Sequence, residues 1–228
     1  MTDPPSRSPA PAAQALLELA QFAARLKSVP RTGWLDRGVE PLRVESVADH
    51  SFGTALLAWS CALQRQAEGA ALDPARVLKL ALIHDLAEAE TGDATPYDPA
   101  AIPGEHDPAA RRAFLETRHH RDPDRRASKR AGEDAVMRAL LDKLPGAPQS
   151  ELAALWDELS LGASSEARFV KQIDRLETFL QSRFYLRSDP ALPMASFEQE
   201  VIEAIDDPLL AAIRDAALST ESSNETSQ

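Results

Sequence analysis

Two histidines and two aspartates carry the chemistry of this chain: His50, the adjacent pair His84 and Asp85, and Asp174. Two imidazoles and two carboxylates form a mixed nitrogen and oxygen donor set. Such a set suits Mn, Fe, Co, Ni or Zn better than Ca or Mg, and it leaves coordination positions free for water and substrate. A metal held this way lowers the pKa of water and polarises a phosphoryl or carbonyl oxygen. On a helix, residues four apart share a face, so Glu88 falls beside His84, free to act on water instead of ligating. Asp93 follows Gly92, where the chain can turn back toward the same place. Each residue also has an ordinary reading: His50 as a helix-start residue, Asp174 as a solvated partner of Lys171 or Arg175. The pair His84 and Asp85 resists that reading, because it directly follows Leu80-Ala81-Leu82-Ile83. Ionisable groups at the edge of so apolar a run are costly to bury unpaired.

The elements that must position these residues read as helices. Alanine and leucine dominate and β-branched residues are scarce, which favours helix over strand. The first amphipathic helix is expected over 13–27, with Leu16, Leu19, Phe22, Ala23 and Leu26 on its stripe. An irregular stretch from Pro30 to Pro41 precedes a helix over 47–67 that carries His50 in its first turn. Asp73-Pro74 is a helix start, an N-cap followed by proline at the first position. That helix is expected to continue through His84 and Asp85 to Gly92. Residues 96–126, with five prolines and many charges, read as the least regular part. Further helices are expected over 128–143, 149–160, 164–187, 196–206 and 208–218. The Pro/Ser-rich residues 1–12 and the polar residues 219–228 read as disordered tails.

Length suits one domain, over 13–218. The formal net charge of −11 argues against a nucleic-acid binder that works through a broad basic surface. A single cysteine, Cys61, excludes an internal disulfide and fits a reducing, cytoplasmic setting. No apolar run reaches the roughly 20 residues that span a bilayer, and no signal-peptide order opens the chain. No lysine-bearing glycine-rich phosphate loop is present.

Five segments sharpen this reading. They are Leu26-Lys27-Ser28-Val29-Pro30-Arg31-Thr32-Gly33-Trp34, Arg43 to Ser51, Ala81 to Glu88, Thr91-Gly92-Asp93 with Pro96 after it, and Glu166 to Asp174. In this order, over residues 15–187, the chain closely resembles the HD-domain metal-dependent phosphohydrolases. More narrowly it resembles their 5′-deoxynucleotidases, the YfbR-like and HD-domain-containing-protein-2 group. The resemblance implies an all-α helical bundle, with one divalent metal on His50, His84, Asp85 and Asp174. It implies that Glu88 and Asp93 handle protons or orient water. It also implies that Arg31 and Trp34 contact the nucleotide, the tryptophan helping to exclude ribonucleotides. The reaction would be hydrolysis of a deoxyribonucleoside 5′-monophosphate, and related enzymes suggest a homodimer.

The chain departs from that family between Pro103 and Lys129, where it is longer than expected. The stretch holds His106, His119 and His120, the only candidates for further metal ligands; it reads as a solvated surface insertion that can border the active-site mouth. Two rival readings remain: a phosphohydrolase acting on a cyclic nucleotide or nucleoside triphosphate, and a catalytically silent HD module. A two-iron oxygenase is disfavoured by the shortage of histidines in helical contexts.

Overall fold

Capping residues set where most of the helices begin. Ser46 accepts from the Asp49 N–H while the Asp49 side chain accepts from the Ser46 N–H, a reciprocal box that starts α3 (Val47–Ala67). Asp73 caps α4 (Pro74–Ile83), and Ser164 caps α9 (Ser165–Ser188). The computed structural model describes residues 10–225, and among them helices and turns account for all regular structure. The other helices are α1 (Pro11–Arg25), α2 (Thr32–Asp36), α5 (Glu88–Thr91), α6 (Pro108–Glu116), α7 (Pro123–Leu141), α8 (Gly146–Leu161), α10 (Ala195–Ala204) and α11 (Pro208–Glu225). The all-α expectation holds.

Helices α3, α4 and α9 form the centre of the bundle. Small residues on α3, Ala55, Ala58 and Ala62, are buried and let its neighbours approach closely. Val77, Leu80 and Ala81 from α4 and Ile173, Leu176 and Phe179 from α9 fill the space between. Burying side chains of this size stabilises by about 1.5–3 kcal/mol each. A smaller cluster, Trp34, Val39, Tyr185, Leu192 and Met194, packs α2 and its following loop against the end of α9.

Four expectations change. First, the helix bearing His84 does not run on to Gly92: α4 ends at Ile83, and α5 starts only at Glu88. Between them the backbone bonds run three residues back, Leu86 to Ile83, Glu88 to Asp85 and Glu90 to Ala87. The His84 ring contributes to the break, since its Nδ1 donates to the Ala81 carbonyl at 2.7 Å. Second, the Pro30–Pro41 stretch contains α2. Third, residues 96–126 hold α6 and the start of α7, each opened by an Asp-Pro pair (Asp107-Pro108 and Asp122-Pro123) of the type that also opens α4. Fourth, α1 begins at Pro11 and α11 continues past 218 to Glu225; the polar run 219–225 contains neither proline nor glycine to stop it. Residues 1–9 and 226–228 of the expected tails lie outside the described residues. At the remaining boundary of note, α8 opens at Gly146, three residues early.

The capping box links fold to site, because His50 lies in the turn it begins. Ser46→Ala should lower unfolding stability by about 1 kcal/mol. A urea titration followed by circular dichroism reads this as a lower midpoint at unchanged slope.

Candidate metal centre

Two short segments are tied together before the site forms. Val47 N–H donates to Val29 O at 2.8 Å and Arg31 N–H to Glu45 O at 3.1 Å, a small antiparallel bridge. It holds Arg31 beside the start of α3. From there the helices bring four donor atoms to one point. His50 Nε2 lies 3.1 Å from Asp174 Oδ1, 3.3 Å from His84 Nε2 and 3.6 Å from Asp85 Oδ2. His84 Nε2 lies 3.1 Å from Asp85 Oδ2 and 3.9 Å from Asp174 Oδ1. Residues from three helical segments thus converge as the sequence pattern predicts.

The outer ring nitrogens are occupied, which turns the inner ones inward. His50 Nδ1 donates to Glu177 Oε2 at 2.5 Å, and His84 Nδ1 to Ala81 O. With Nδ1 protonated on each ring, each Nε2 would offer a lone pair to a cation held among the carboxylate oxygens, with carboxylate and carbonyl partners fixing ring orientation behind them. Burial and Arg31 oppose protonation of His50, but Asp174 and Glu177 outweigh them and push it up to about 10. Burial likewise opposes charge on His84, and Asp85 overrides it. Asp85 and Asp174 are partly exposed; desolvation opposes their charge, yet the imidazoles hold both below the ordinary carboxylate range. A cluster that draws positive charge this strongly, from two nitrogens and two oxygens, fits a divalent transition ion. His50, His84 and Asp85 would hold it, with Asp174 completing the set.

The flanking groups are equally fixed. Arg31 Nη1 lies 3.6 Å from Asp85 Oδ2 and 3.5 Å from Asp93 Oδ1, and Nη2 donates to Thr178 Oγ1. Burial opposes its charge, and Asp93, Asp85 and Asp174 more than restore it. Asp93 is held by the Thr32 N–H at 2.6 Å, while Thr32 Oγ1 donates to Asp93 O. Glu88 is buried; Lys129 Nζ donates to its Oε1 at 3.0 Å, and its Oε2 has no partner. Burial, then Asp85, push this carboxyl up to about 8 against the pull of Lys129. Trp34 is 1% exposed. It is locked by its Nε1–H to Glu45 Oε1 and by rings of Tyr185 and Phe197, and the residue borders the cavity.

That cavity, of about 690 Å³, opens over Asp85, Glu88, Asp93 and Asp174. Its far wall is the 117–121 segment with Arg126 and Lys129. The Pro103–Lys129 stretch is therefore not merely solvated: Leu115 is 2% exposed, and His119 stacks on Phe114 and Tyr97. None of His106, His119 and His120 joins a metal-ligand grouping among the described residues.

The HD domain family model matches residues 23–207. The chain belongs to the HD domain family. A human protein named 5′-deoxynucleotidase HDDC2 is 35% identical over 173 residues, spanning 76% of this chain and 69% of its own. The bovine protein of the same name is 36% identical over 173 residues, with the same shares. A solved structure titled as a conserved hypothetical protein from Pyrococcus furiosus superposes with a TM-score of 0.64 at 26% identity. It covers 89% of this HD-domain chain and 99% of its own.

Three residues of this HD domain's site carry no motif of their own: Glu177, Lys129 and Glu45. Glu177 could have been found from its spacing, three residues after Asp174 on the same helix face. For Lys129 the only local signal is its pairing with Glu133, which says nothing of Glu88. Glu177→Ala should weaken divalent-metal affinity by roughly 10–100-fold, since a second-layer carboxylate orients the ring it holds. Metal titration by calorimetry on the folded variant measures this.

Proposed function

We propose that this HD-domain protein is a metal-dependent 5′-deoxynucleotidase, converting a deoxyribonucleoside 5′-monophosphate and water to the deoxynucleoside and phosphate. The carrying observation is the convergence of His50, His84, Asp85 and Asp174 beside Arg31, Glu88 and Asp93 in one cavity. The names of the human and bovine relatives support the substrate class.

A divalent ion held by those four residues would supply Lewis acidity. The chain's own groups do the rest. Arg31 lies where charge develops on the phosphoryl oxygens, and stays protonated throughout. The water oxygen bonds to phosphorus as the P–O5′ bond breaks. Glu88 Oε2, buried and without a partner, takes the water's proton, and Lys129 keeps the other oxygen engaged. Burial, then Asp85, raise the proton affinity of this carboxyl, which favours proton uptake there. The proton taken up by Glu88 passes to the departing O5′, and Asp93, pinned by Thr32, relays it. Trp34, held by Glu45, gives the sugar a rigid wall against which a 2′-hydroxyl is disfavoured.

The expected result is phosphate release from at least one deoxynucleoside monophosphate by metal-loaded protein. Glu88→Gln should lower kcat by roughly 100- to 10,000-fold with the fold intact. A folded, metal-loaded protein releasing phosphate from none of the deoxynucleoside monophosphates would refute this reading. Release from a cyclic nucleotide or triphosphate alone would move the substrate class instead.

The same protein self-associates through α3. Phe52 (70% exposed), Leu56 (52%), Trp59 (43%) and Leu63 (45%) form one stripe over three turns. No charged residue occurs between His50 and Arg65, although 27% of the chain is charged. Interface cores are depleted of charge in this way. With aromatic side chains of roughly 150–250 Å², a two-fold pairing of the stripe buries on the order of 900 Å². Ser60 and Gln64 extend it toward the roughly 1,200 Å² of a small specific interface. No helix among the described residues is long and apolar enough to cross a membrane, and the buried free Cys61 supports a cytoplasmic setting. Sedimentation of the wild type should give a dimer and Trp59→Glu a monomer; a monomeric wild type at micromolar concentration would exclude the interface.

A further inference from the structure

The α6–α7 region is built as a wall. Arg37 Nη2 donates to Leu115 O, Arg111 Nη2 to Asp36 O and Gln199 Nε2 to Glu116 O. The Arg118 N–H donates in turn to Gln199 Oε1. His119 Nε2 donates to Phe114 O at 2.8 Å, and its ring packs on Phe114 and Tyr97. These bonds tie the segment to α2 on one side and α10 on the other, so its side chains face the cavity from a fixed frame.

One of those side chains has charge to spare. Arg121 is half-buried and lines the cavity. Its Nη2 donates to Ala94 O at 2.7 Å, the residue directly after Asp93. Among the described residues it makes no ion pair; burial and then Arg125 lower its pKa, and the charges of Glu133, Asp93 and Glu88 oppose them. The other half-buried arginines of the site are engaged: Arg31 with Asp85 and Asp93, Arg118 with Glu203, Arg175 with Glu200. A partly desolvated guanidinium that bonds only a carbonyl gains most from an incoming anion.

Asp85, Asp93, Asp174 and Glu88 line the cavity beside Arg31 and Lys129, while the rest of its charged lining, Arg121 included, is cationic but for Glu200. A phosphate monoester arriving as a dianion meets that cationic lining, in which Arg121 is half-buried and bonds a carbonyl.

We propose that Arg121, supplied by the loop between α6 and α7, binds the phosphate of the substrate opposite Arg31 and sets the preference for a phosphomonoester. This rests on the phosphohydrolase reading above. The guanidinium keeps its bond to Ala94 O through one nitrogen and offers the remaining N–H donors to non-bridging phosphate oxygens. The long Pro103–Lys129 stretch is then part of the substrate site.

The test compares metal-loaded wild type, Arg121→Ala and Arg121→Lys on a deoxynucleoside monophosphate, with inorganic phosphate and the free deoxynucleoside as inhibitors. Loss of one charge-assisted contact should raise KM and the phosphate inhibition constant together, by roughly 10–100-fold in Arg121→Ala. In Arg121→Lys part of that loss should be recovered. The deoxynucleoside carries no phosphate, so its inhibition constant should stay within about twofold. Unchanged KM and phosphate inhibition in Arg121→Ala would overturn the proposal. Equal weakening of phosphate and deoxynucleoside would overturn it too, making Arg121 a brace for the wall. A wild type inactive on every monophosphate, yet binding phosphate more tightly than Arg121→Ala, would refute the reaction and leave the anion site standing.

Discussion

Four electron-rich atoms held within a few ångströms of one another are the constraint on which the rest of this molecule depends. Two imidazole nitrogens and two carboxylate oxygens repel unless positive charge lies among them, so the fold must hold them together against their own electrostatics. It does so with rigid supports. The capping box fixes the first turn of α3 and so the height of His50. The Ala81 carbonyl and Glu177 each grip the outer nitrogen of an imidazole. Ile173 and Leu176, fully buried on either side of Asp174, leave α9 no freedom to withdraw the last carboxylate. Stability spent on this cluster is recovered in the apolar core beneath it, where α3, α4 and α9 share their longest contacts.

The same logic arranges charge around the cavity. The chain is strongly acidic overall, and a phosphate ester is an anion, so cations must be placed locally. Arg31 is pinned between Asp85 and Asp93, Lys129 between Glu88 and Glu133. Each cation thereby keeps a neighbouring carboxylate ionised or engaged while remaining available to the cavity. Glu88 shows the balance most clearly. Burial drives its carboxyl upward, Lys129 restrains it, and one oxygen is left unpartnered. A buried polar atom without a partner is unfavourable in the resting protein, and it is the kind of cost that an active site carries for the sake of its reaction.

Much of this was legible in residue order. The Asp73 start, the stripe of α1 and the 47–67 helix follow from capping and periodicity, which act over a few residues. His50, His84, Asp85 and Asp174 stood out because ionisable groups beside apolar runs demand compensation. What local pattern could not show was the break at His84. A run as apolar as Val77 to Ile83 reads as uninterrupted helix, and the ring's bond to Ala81 O, made while it faces the site, contributes to its end. The Pro-rich stretch after Pro96 misled in the opposite sense. Proline read as punctuation, although Asp-Pro opens α6 and α7 as it opens α4.

By itself the sequence determined the fold class, most of the long helices and the candidates for a donor set, because propensity, capping and hydrophobic period are properties of neighbouring residues. Tertiary structure alone decided which groups stand behind the donors and across from them. Lys129 reaches Glu88 over 41 positions of chain, Thr32 reaches Asp93 over 61, and the Arg121 wall closes over Ala94 from a segment that reads as surface. Those partnerships arise where helices cross, and the distance between two residues at a crossing is set by packing rather than by their separation along the chain.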